Sequence, residues 1–387
     1  MNIKVLNKIS ELGISILKDK NYTISEDHSS PDALLVRSAK LHEEKFNENL
    51  KAIGRAGAGV NNIPIDRCTD SGIVVFNTPG ANANAVKELV LTGMFLSSRD
   101  IIGGIEFAES IKDKNEDDIH KLVESNKSRF KGIELKGKNL GVIGLGAIGV
   151  LVANSATNLG LKLAGYDPFI SVDRAWGLSR SVIPSKNLNN LLSNSDFITL
   201  HMPFTSRTDK FLNKKLISKL KDGAVVLNFA RPEIVDENAV VEALKSGKIS
   251  KYVTDFPSKV LLNESNVIAI PHLGASTNEA EDNCALMIAD QIDDYLANGN
   301  ISNSVNFPNC SMERTGQFRI AIANRNIPNM VGQITKVLAD HKLNIVEMLN
   351  KSKDELAYNI LDINGSSTES FVDELKNIEG VIFVRLI

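Results

Sequence analysis

The middle of this chain reads Leu140-Gly141-Val142-Ile143-Gly144-Leu145-Gly146-Ala147-Ile148-Gly149, and residues 150–159 can continue it as a helix. The first four residues have the apolar pattern of a buried strand, and three glycines follow. In such a turn the first glycine permits the tight bend, the second lets a pyrophosphate approach the backbone, and the third lets helix and strand pack closely. The N–H groups of the helix N-terminus, including those of Ala147 and Ile148, attract the anion. The stretch predicts a dinucleotide-binding turn at Gly144, Gly146 and Gly149.

An acidic residue closes the next predicted strand. Asp167 follows residues 161–166, a short apolar run. A carboxylate at this place can accept hydrogen bonds from both ribose hydroxyls and would repel a 2′-phosphate. We therefore expect the cofactor to be NAD and not NADP.

Strand and helix patterns alternate on both sides of the turn. Short apolar runs are found at residues 3–6, 33–36, 52–53, 73–76, 140–143, 162–166, 197–200, 224–228, 252–254 and 267–270. This rhythm predicts an α/β fold with two Rossmann-like, doubly wound parallel-sheet domains. The last 70 or so residues follow the order strand, helix, strand, strand, helix, strand, which predicts a small α+β ferredoxin-like domain.

The predicted domain boundaries make the first domain discontinuous. Residues 1–99 and 282–308 form one domain, with residues 279–297 as a returning helix and residues 301–307 as an extended segment that could complete it. Residues 100–281 form the dinucleotide-binding domain, and residues 316–387 form the small domain. A length of 387 residues is consistent with two or three domains.

Composition excludes several classes of function. A formal net charge of −3 offers no excess of positive charge for nucleic acid or anionic membranes. No apolar run is long enough to span a membrane, and the N-terminus lacks the pattern of a signal peptide. Cys68, Cys284 and Cys310 have the spacing of neither a disulfide framework nor a zinc site, so we expect reduced thiols, no bound metal and a cytoplasmic location.

Six motifs, in this order, resemble those of the D-isomer-specific 2-hydroxyacid dehydrogenases over nearly the whole chain. They are Gly54-Arg55-Ala56-Gly57-Ala58-Gly59-Val60-Asn61-Asn62, Asn77-Thr78-Pro79-Gly80, the glycine turn, Leu200-His201-Met202-Pro203, Asn228-Phe229-Ala230-Arg231 and Pro271-His272-Leu273-Gly274-Ala275-Ser276. The resemblance implies hydride transfer to NAD from a small anionic D-2-hydroxy acid. For the family members that carry a C-terminal ACT domain, it implies oxidation of D-3-phosphoglycerate to 3-phosphohydroxypyruvate, the entry step of serine synthesis.

The resemblance assigns roles to two residues that follow predicted strands. Hydride leaves the substrate's C2 only if the hydroxyl proton goes to a base, and a histidine suits this task in both directions. His272 matches the acid/base of the family. Arg231 matches the arginine whose guanidinium binds the substrate carboxylate and polarises the forming carbonyl.

Two further sets of residues are implied by the resemblance. Those that hold the anionic ends of the substrate are Arg37, Ser38, Arg55, Gly57, Ala58, Gly59 and Asn77. Those that contact the cofactor besides the glycine turn and Asp167 are His201, Met202, Pro203, Phe229, Ala230, Arg231, Asp255, His272 and Gly274.

The chain departs from the family where a glutamate normally orients the histidine. The matching stretch is Thr254-Asp255-Phe256-Pro257-Ser258-Lys259-Val260, and Lys259 or Val260 occupies the site of the acid. Either His272 works without that partner, or Lys259, with a depressed pKa, shares or replaces its role. Lys259 could also be a plain loop residue. Arg231-Pro232 replaces the commoner Arg-Gly pair.

The C-terminal domain resembles ACT domains, which bind amino acids between paired copies. Asn326 and Asn344 match the asparagines that contact L-serine in this family, while Asn324 stands where a histidine is common and Asn329 where glycine is common. Asparagine tolerates left-handed backbone, so Asn329 can replace that glycine. We expect serine feedback and a homodimer or homotetramer, although a dimerisation domain without ligand is the alternative.

Two other functions remain open from the sequence. A glyoxylate or hydroxypyruvate reductase has the same catalytic motifs but needs no ACT domain. An NAD-sensing binding protein on the same fold would have vestigial catalysis, and the missing glutamate would be a sign of it. Intact Arg231 and His272 argue against the second alternative.

Overall fold

The computed structural model describes residues 1–365 and 370–387. The chain forms two compact units, one made of Met1–Asn82 and Asn278–Ile387, the other of Ala83–Thr277. The boundaries therefore differ from the expected ones, because helix Ala83–Ser98 packs in the second unit and the C-terminal domain is part of the first. Within the described ranges no helix is long and apolar enough to cross a membrane.

The first unit begins with a five-stranded parallel sheet, as predicted. Its elements are β1 (Asn2–Leu6), α1 (Glu11–Asp19), β2 (Thr23–Ser25), β3 (Ala33–Val36), β4 (Ala52–Arg55), α2 (Ile65–Asp70) and β5 (Val74–Phe76). The strand order is β2-β1-β3-β4-β5. Of these five strands only β2 is not predicted by the sequence, because its three residues begin with an exposed threonine and contain no apolar run.

The second unit holds a seven-stranded parallel sheet. Its elements are α3 (Ala83–Ser98), α4 (Ile101–Ser110), α5 (Glu116–Asn126), β6 (Asn139–Ile143), α6 (Ala147–Asn158), β7 (Lys162–Tyr166), α7 (Val172–Trp176), β8 (Val182–Pro184), α8 (Leu188–Asn194), β9 (Phe197–Leu200), α9 (Lys214–Ile217), β10 (Ala224–Asn228), α10 (Glu237–Lys245), β11 (Ile249–Thr254) and β12 (Val267–Ala269). Short 3₁₀ turns occupy Lys127–Phe130, Pro232–Ile234 and Leu261–Asn263.

The order of this sheet, β12-β11-β10-β9-β6-β7-β8, is that of a doubly wound fold. The chain reverses direction across the sheet between β6 and β9, which are hydrogen-bonded neighbours. Ligands of such sheets bind at the carboxyl ends of the strands next to this switch point. The glycine turn follows β6, and His201 follows β9, so both lie where a ligand is expected.

The chain then returns to the first unit. Its remaining elements are α11 (Asn278–Asn298), β13 (Phe318–Arg325), α12 (Met330–Asp340), β14 (Asn344–Lys353), β15 (Leu356–Asn364), α13 (Ser370–Lys376) and β16 (Val381–Leu386). The last four strands form an antiparallel sheet in the order β14-β15-β13-β16, and the predicted ferredoxin-like domain is confirmed. Residues 301–307 form no regular strand, but they extend the edge of the parallel sheet: Ser304 forms a bridge with Phe76, and the Val305 N–H donates to the Val75 carbonyl at 2.8 Å. The Asn306 side chain accepts from the Val75 N–H at 2.9 Å and donates to the Ile73 carbonyl at 2.9 Å.

One face of the antiparallel sheet shares a hydrophobic core with the parallel sheet. Ala321 and Tyr358 are fully buried in the same cluster as Ile3, Leu17 and Ile288. Burial of apolar surface is the main favourable contribution to folding, so this shared core holds the C-terminal domain to the rest of the unit. The domain is a packed part of the first unit and not a tethered appendage.

Polar side chains of the C-terminal domain donate hydrogen bonds to the carbonyl groups at the C-terminal end of α11. Arg385 donates to the carbonyls of Tyr295 at 3.3 Å and Leu296 at 3.0 Å, and the Tyr358 hydroxyl donates to Gly299 at 2.7 Å. The last carbonyls of a helix lack intrahelical partners and carry a partial negative charge, so a guanidinium stabilises them.

A fully buried ion pair lies in the same region. Both Arg319 and Asp362 have no exposed side-chain surface, and the guanidinium makes two bonds to the carboxylate, at 2.6 and 2.9 Å. Arg319 also donates to the carbonyls of Asn298 and Met312, and the Thr315 N–H donates to Asp362. The pair thereby joins β13, β15, the end of α11 and the linker before β13.

Candidate active site

The glycine turn has the geometry that its sequence predicts. Gly144 has φ of +91°, a region that side chains with a Cβ disfavour. A Cβ on Gly149 would overlap the Gly144 carbonyl oxygen, whereas a Cβ on Gly146 would meet nothing within 4 Å. The first and third glycines therefore allow the turn to close, and the second borders open space in which a phosphate can approach.

Helix α6 begins at this turn without a side chain to cap it. Its N-cap is Gly146, no side-chain cap is formed, and Ala147 and Ile148 open its first turn. The free N–H groups of that turn and the helix dipole suit an anion.

Asp167, at the end of β7, holds the turn from the other side. One carboxylate oxygen accepts from the Leu145 N–H and the other from the Phe169 N–H, each at 2.8 Å. Each oxygen keeps lone pairs for further donors such as ribose hydroxyls. The carboxylate thus has a structural role that the sequence did not reveal.

A histidine nitrogen without a partner lies at the end of β9. His201 Nε2 is 2.9 Å from the Thr199 hydroxyl, but Nδ1 is buried and has no hydrogen-bond partner among residues 1–365 and 370–387. Burial lowers the pKa of His201 to about 3, so the ring is neutral at physiological pH. Met202 is half-buried and Pro203 is exposed. The orphaned nitrogen, the open space at Gly146 and the uncapped helix fit a dinucleotide such as NAD.

Arg231 follows β10 on a backbone that is held by Asn228. The Asn228 amide donates to the Arg231 carbonyl at 2.9 Å, and its oxygen accepts from the Ala230 N–H at 3.2 Å. Pro232 opens a 3₁₀ turn, a position where its missing N–H costs no hydrogen bond, which accounts for the Arg-Pro pair.

Phe229 packs away from this loop. Its ring is buried, and a Cβ on Gly93 of α3 would lie 3.0 Å from it. Only the backbone of Phe229 is thus left for a cofactor, and Ala230 is also buried.

Asp255, Phe256 and His272 meet at the ends of the paired strands β11 and β12. Asp255 is 1% exposed, and one of its oxygens accepts from the Gly274 N–H at 3.1 Å. Burial raises the pKa of Asp255, and the charge of His272 opposes that rise. The rings of Phe256 and His272 lie 4.9 Å apart in an edge-to-face arrangement. His272 is exposed, so its ring is open to a ligand.

Lys259 lies on an exposed part of the loop after β11. Its backbone carbonyl accepts from the Asn263 amide at 2.9 Å. In the part of the chain that the structure describes, its ammonium makes no hydrogen bond or ion pair. Val260, the other residue aligned with the missing glutamate, is 41% exposed.

The first unit brings two arginines together after β3 and β4. Arg55 Nε donates to the Arg37 carbonyl at 3.1 Å, and the Arg37 guanidinium forms an ion pair with Glu281 at 2.7 Å. Gly57 has φ of +143°, and a Cβ there would overlap the Arg55 guanidinium. The glycine is therefore needed for the guanidinium to lie over the Gly57-Ala58-Gly59 backbone.

Of the remaining residues predicted in this set, Asn77 contacts the same turn. Asn77 donates to the Ala58 carbonyl at 2.6 Å and so braces the loop. Gly59 is half-buried, and Ser38 is exposed with its N–H bound to Asn7 at 3.2 Å. Guanidinium groups and backbone N–H groups are the kinds of donor that bind anions in proteins.

A pocket of about 170 Å³ lies at the start of α12. It is lined by Asn324, Asn326, Ile327, Asn329, Met330, Val331, Gly332, Asn350 and Ala357. Asn329 has φ of +67°, so the expected left-handed conformation is confirmed. Asn344 does not line this pocket and lies at the exposed start of β14.

Side-chain hydrogen bonds already engage three of these asparagines, one of which is Asn350, whose amide donates to Asn359 at 2.6 Å. Asn324 donates to the Arg325 carbonyl at 2.6 Å and accepts from Asn359 at 2.8 Å, while Asn326 donates to the Asp354 carbonyl at 3.2 Å. Asn324 is 1% exposed and so serves mainly as a wall of the pocket.

Sequence reasoning missed Asn228, Thr254 and Phe256 as members of the site. Asn228 and Thr254 are the last residues of two neighbouring parallel strands, and their position at the strand ends could have indicated that they belong to the site. Phe256 gave no signal, because a lone aromatic after a strand is usually core.

Comparisons with known proteins agree with this geometry. The family model described as D-isomer specific 2-hydroxyacid dehydrogenase, NAD binding domain, matches residues 105–274. The D-3-phosphoglycerate dehydrogenase 2 of Saccharomyces cerevisiae is 30% identical over 429 residues, covering 100% of this chain and 87% of that protein. A structure of NAD⁺-bound 3-phosphoglycerate dehydrogenase from Entamoeba histolytica matches with a TM-score of 0.62 and 31% identity, covering 79% of this chain and 98% of that one.

Some relatives are considerably longer than this chain. The D-3-phosphoglycerate dehydrogenase of Methanocaldococcus jannaschii is 36% identical over 356 residues, which is 90% of this chain but 64% of that protein. For the protein of the same name from Archaeoglobus fulgidus, the match covers 52% of its length. Two parallel sheets, the ordered motifs and these matches lead to one conclusion: the chain belongs to the D-isomer specific 2-hydroxyacid dehydrogenase family.

Proposed function

We propose that this protein oxidises D-3-phosphoglycerate to 3-phosphohydroxypyruvate with NAD, in the cytoplasm, as the first step of serine synthesis. The observation that carries the proposal is the pair Arg231 and His272, which follow β10 and β12 of the sheet that also holds the glycine turn. Relatives named D-3-phosphoglycerate dehydrogenase support the choice of substrate. The two arginines of the first unit suit a substrate with a carboxylate and a phosphate.

In this proposal each residue has a separate task. The glycine turn would hold NAD, which would supply the acceptor for the hydride of the substrate's C2. His272 takes the hydroxyl proton as the carbonyl forms and returns it in the reverse reaction. Arg231 binds the carboxylate and polarises the carbonyl. Arg37, Arg55 and the Gly57 turn hold the anionic groups, so that the substrate is oriented before reaction.

An NADH-coupled assay with 3-phosphohydroxypyruvate tests the proposal. We expect turnover with this substrate and a higher kcat/KM than with glyoxylate or hydroxypyruvate, which lack the phosphate. A preference for the unphosphorylated acids would assign a reductase instead. Binding of NADH without turnover of any of the three acids would support a sensing protein.

Replacing Gly57 with alanine should raise the KM for 3-phosphohydroxypyruvate by about tenfold or more, because the added methyl group displaces the Arg55 guanidinium. The KM for NADH should stay within about twofold. Gly137→Ala is the control, since Gly137 also has positive φ but a Cβ there meets nothing within 4 Å. Equal effects of the two substitutions would attribute the change to backbone strain and not to Arg55.

Serine feedback is part of the same proposal. The pocket at α12 is lined by amides and apolar groups, without a charged side chain, and the start of α12 has no side-chain cap. These features support a small zwitterion whose carboxylate meets the helix N-terminus. Because Asn344 is exposed on the edge strand β14, it would contact serine only from a second, paired copy.

Titration with L-serine during turnover should lower the rate at millimolar concentrations. Asn326→Ala should weaken that inhibition while the uninhibited rate remains. An unchanged rate at millimolar serine would identify the C-terminal domain as structural.

We also propose a homo-oligomer. In α4, Ile101, Ile102 and Ile105 are 39%, 40% and 64% exposed, and no side chain of this apolar helix is buried. A contiguous exposed apolar face of this kind is typical of an interface. Sedimentation of the purified protein should give a dimer or tetramer, and Ile105→Glu should shift it toward the monomer.

A further inference from the structure

His272 lacks the hydrogen bond that normally orients a catalytic imidazole. Within residues 1–365 and 370–387, neither ring nitrogen of His272 has a hydrogen-bond partner, and no carboxylate forms an ion pair with it. An imidazole exposed to solvent and held by nothing would sample several rotamers. Its ring does have an aromatic neighbour, the half-buried ring of Phe256, at a centroid distance of 4.9 Å and an interplanar angle of 61°.

The backbone of Phe256 is firmly anchored. Its N–H donates to the Thr254 hydroxyl at 3.2 Å, and that buried hydroxyl donates to the Asn228 carbonyl at 2.9 Å. Pro257 follows and restricts Phe256 to extended conformations. The ring of Phe256 therefore projects from a short, stiff segment at the end of β11.

The same anchor reaches Arg231. Asn228, whose carbonyl accepts from Thr254, donates through its side chain to the Arg231 carbonyl at 2.9 Å. One chain of three hydrogen bonds, the middle one buried and the outer two partly buried, thus links the backbone of Arg231 to that of Phe256. Strands β10 and β11 are paired up to Asn228 and Thr254, which keeps the two backbones in register.

We propose that Phe256 is the positioning residue of His272: its ring, fixed through Thr254 and Asn228 relative to Arg231, holds the imidazole in an edge-to-face contact that replaces an orienting hydrogen bond. Edge-to-face contacts are a favoured geometry of aromatic pairs and limit how the rings can rotate. The inference rests on the proposed function, since it assigns the acid/base role to His272. Phe256 itself does not touch the reacting atoms.

The test compares Phe256→Leu with Phe256→Tyr. Leucine has a similar volume but no ring edge or face, so kcat should fall by about 10-fold to 100-fold through misplacement of the imidazole. The KM for NADH should stay within about twofold. Tyrosine restores the ring and should restore kcat to within about threefold. Phe46→Leu makes the same change at a half-buried ring of the first unit and should leave kcat unchanged.

A spectroscopic readout separates positioning from loss of structure. In protein carrying ¹³C-labelled histidine, the His272 ring resonance is identified by its absence in His272→Gln. The ring current of Phe256 should displace this resonance, so Phe256→Leu should move it and Phe46→Leu should not. This measurement does not depend on the substrate, so a failed assay with 3-phosphohydroxypyruvate would leave it intact.

Three results would overturn the inference. They are an unchanged His272 resonance in Phe256→Leu, a kcat in Phe256→Leu equal to that of the unmodified protein, and a kcat in Phe256→Tyr as low as in Phe256→Leu. The last of these would mean that the loop tolerates no substitution at Phe256 whatever the ring does.

Discussion

His272→Gln should slow single-turnover hydride transfer by about 10²-fold to 10⁴-fold, the usual contribution of a general acid or base. Glutamine can still form hydrogen bonds but cannot take the proton that leaves the substrate hydroxyl. Because His272 is exposed and its contact is with Phe256, the fold should survive the change. Binding of NADH, followed by its fluorescence, should stay within about twofold.

Lys259→Ala is the matched experiment in the neighbouring loop. Its side chain is exposed and its ammonium makes no hydrogen bond or ion pair among the described residues, so we expect single-turnover rates within about twofold of the unmodified protein. If the lysine variant loses the chemistry and the histidine variant retains it, the acid/base is Lys259 and the role of His272 is wrong. Loss in both variants would show that the two side chains share the proton.

Arg319→Met should destabilise the first unit by about 3–5 kcal/mol, because it leaves Asp362 charged and unpaired in a site with no exposed side-chain surface. For a unit of this size the loss corresponds to a fall in Tm of roughly 6–20 °C. Thermal unfolding followed by circular dichroism measures it. The double variant Arg319→Met with Asp362→Leu should recover most of the loss, because it removes the unpaired charge and fills the space.

Arg325→Met is the control for this experiment. Arg325 lies on the same strand and pairs with Asp70, but the two side chains are 43% and 68% exposed. Exposed ion pairs contribute about 0–1 kcal/mol, so the Tm should change little. A loss as large as that of Arg319→Met would mean that any substitution in β13 disturbs the sheet.

The stability of the unmodified protein and that of Arg319→Met should also depend differently on pH. Burial by itself would raise the pKa of Asp362, but Arg319 and the Thr315 N–H outweigh it and lower that pKa to about 2. The unmodified protein should therefore lose stability as the pH falls from about 4 toward 2. In Arg319→Met the guanidinium no longer opposes the effect of burial, so the pKa of Asp362 is higher than in the unmodified protein. As the pH falls, protonation therefore neutralises the unpaired carboxylate. The stability difference between the proteins should shrink below about pH 4.

The parts of the site that could be predicted from sequence are those encoded by local backbone requirements. Gly144 and Gly149 need their glycines for reasons confined to one turn, and Asn329 adopts left-handed backbone at a helix start. Apolar runs predict six of the seven strands from β6 to β12. The exception is β8, because two of its three residues are exposed.

The parts that could not be predicted depend on contacts between distant segments. Phe256 meets His272 only because β11 and β12 pair, and Asn228 meets Thr254 only because β10 and β11 pair. The placement of α3 in the second unit follows from its packing against Phe229 and Val253, far along the chain. The packing of the C-terminal domain against the rest of the first unit could not be predicted either. Nothing near Tyr358 in the sequence indicates its hydrogen bond to Gly299.

The discontinuity of the first unit has a consequence for synthesis on the ribosome. Strands β1–β5 leave the exit tunnel before the rest of their unit, yet their core includes Ile288 of α11 and Tyr358 of β15. These strands must wait with exposed apolar surface, while Ala83–Thr277 holds all seven strands of its own sheet in one continuous segment. Domains usually fold in the order in which they emerge. Here Ala83–Thr277 can complete its folding before β1–β5, although those strands are synthesised earlier. Strands β1–β5 are therefore the part of the nascent chain most in need of a chaperone.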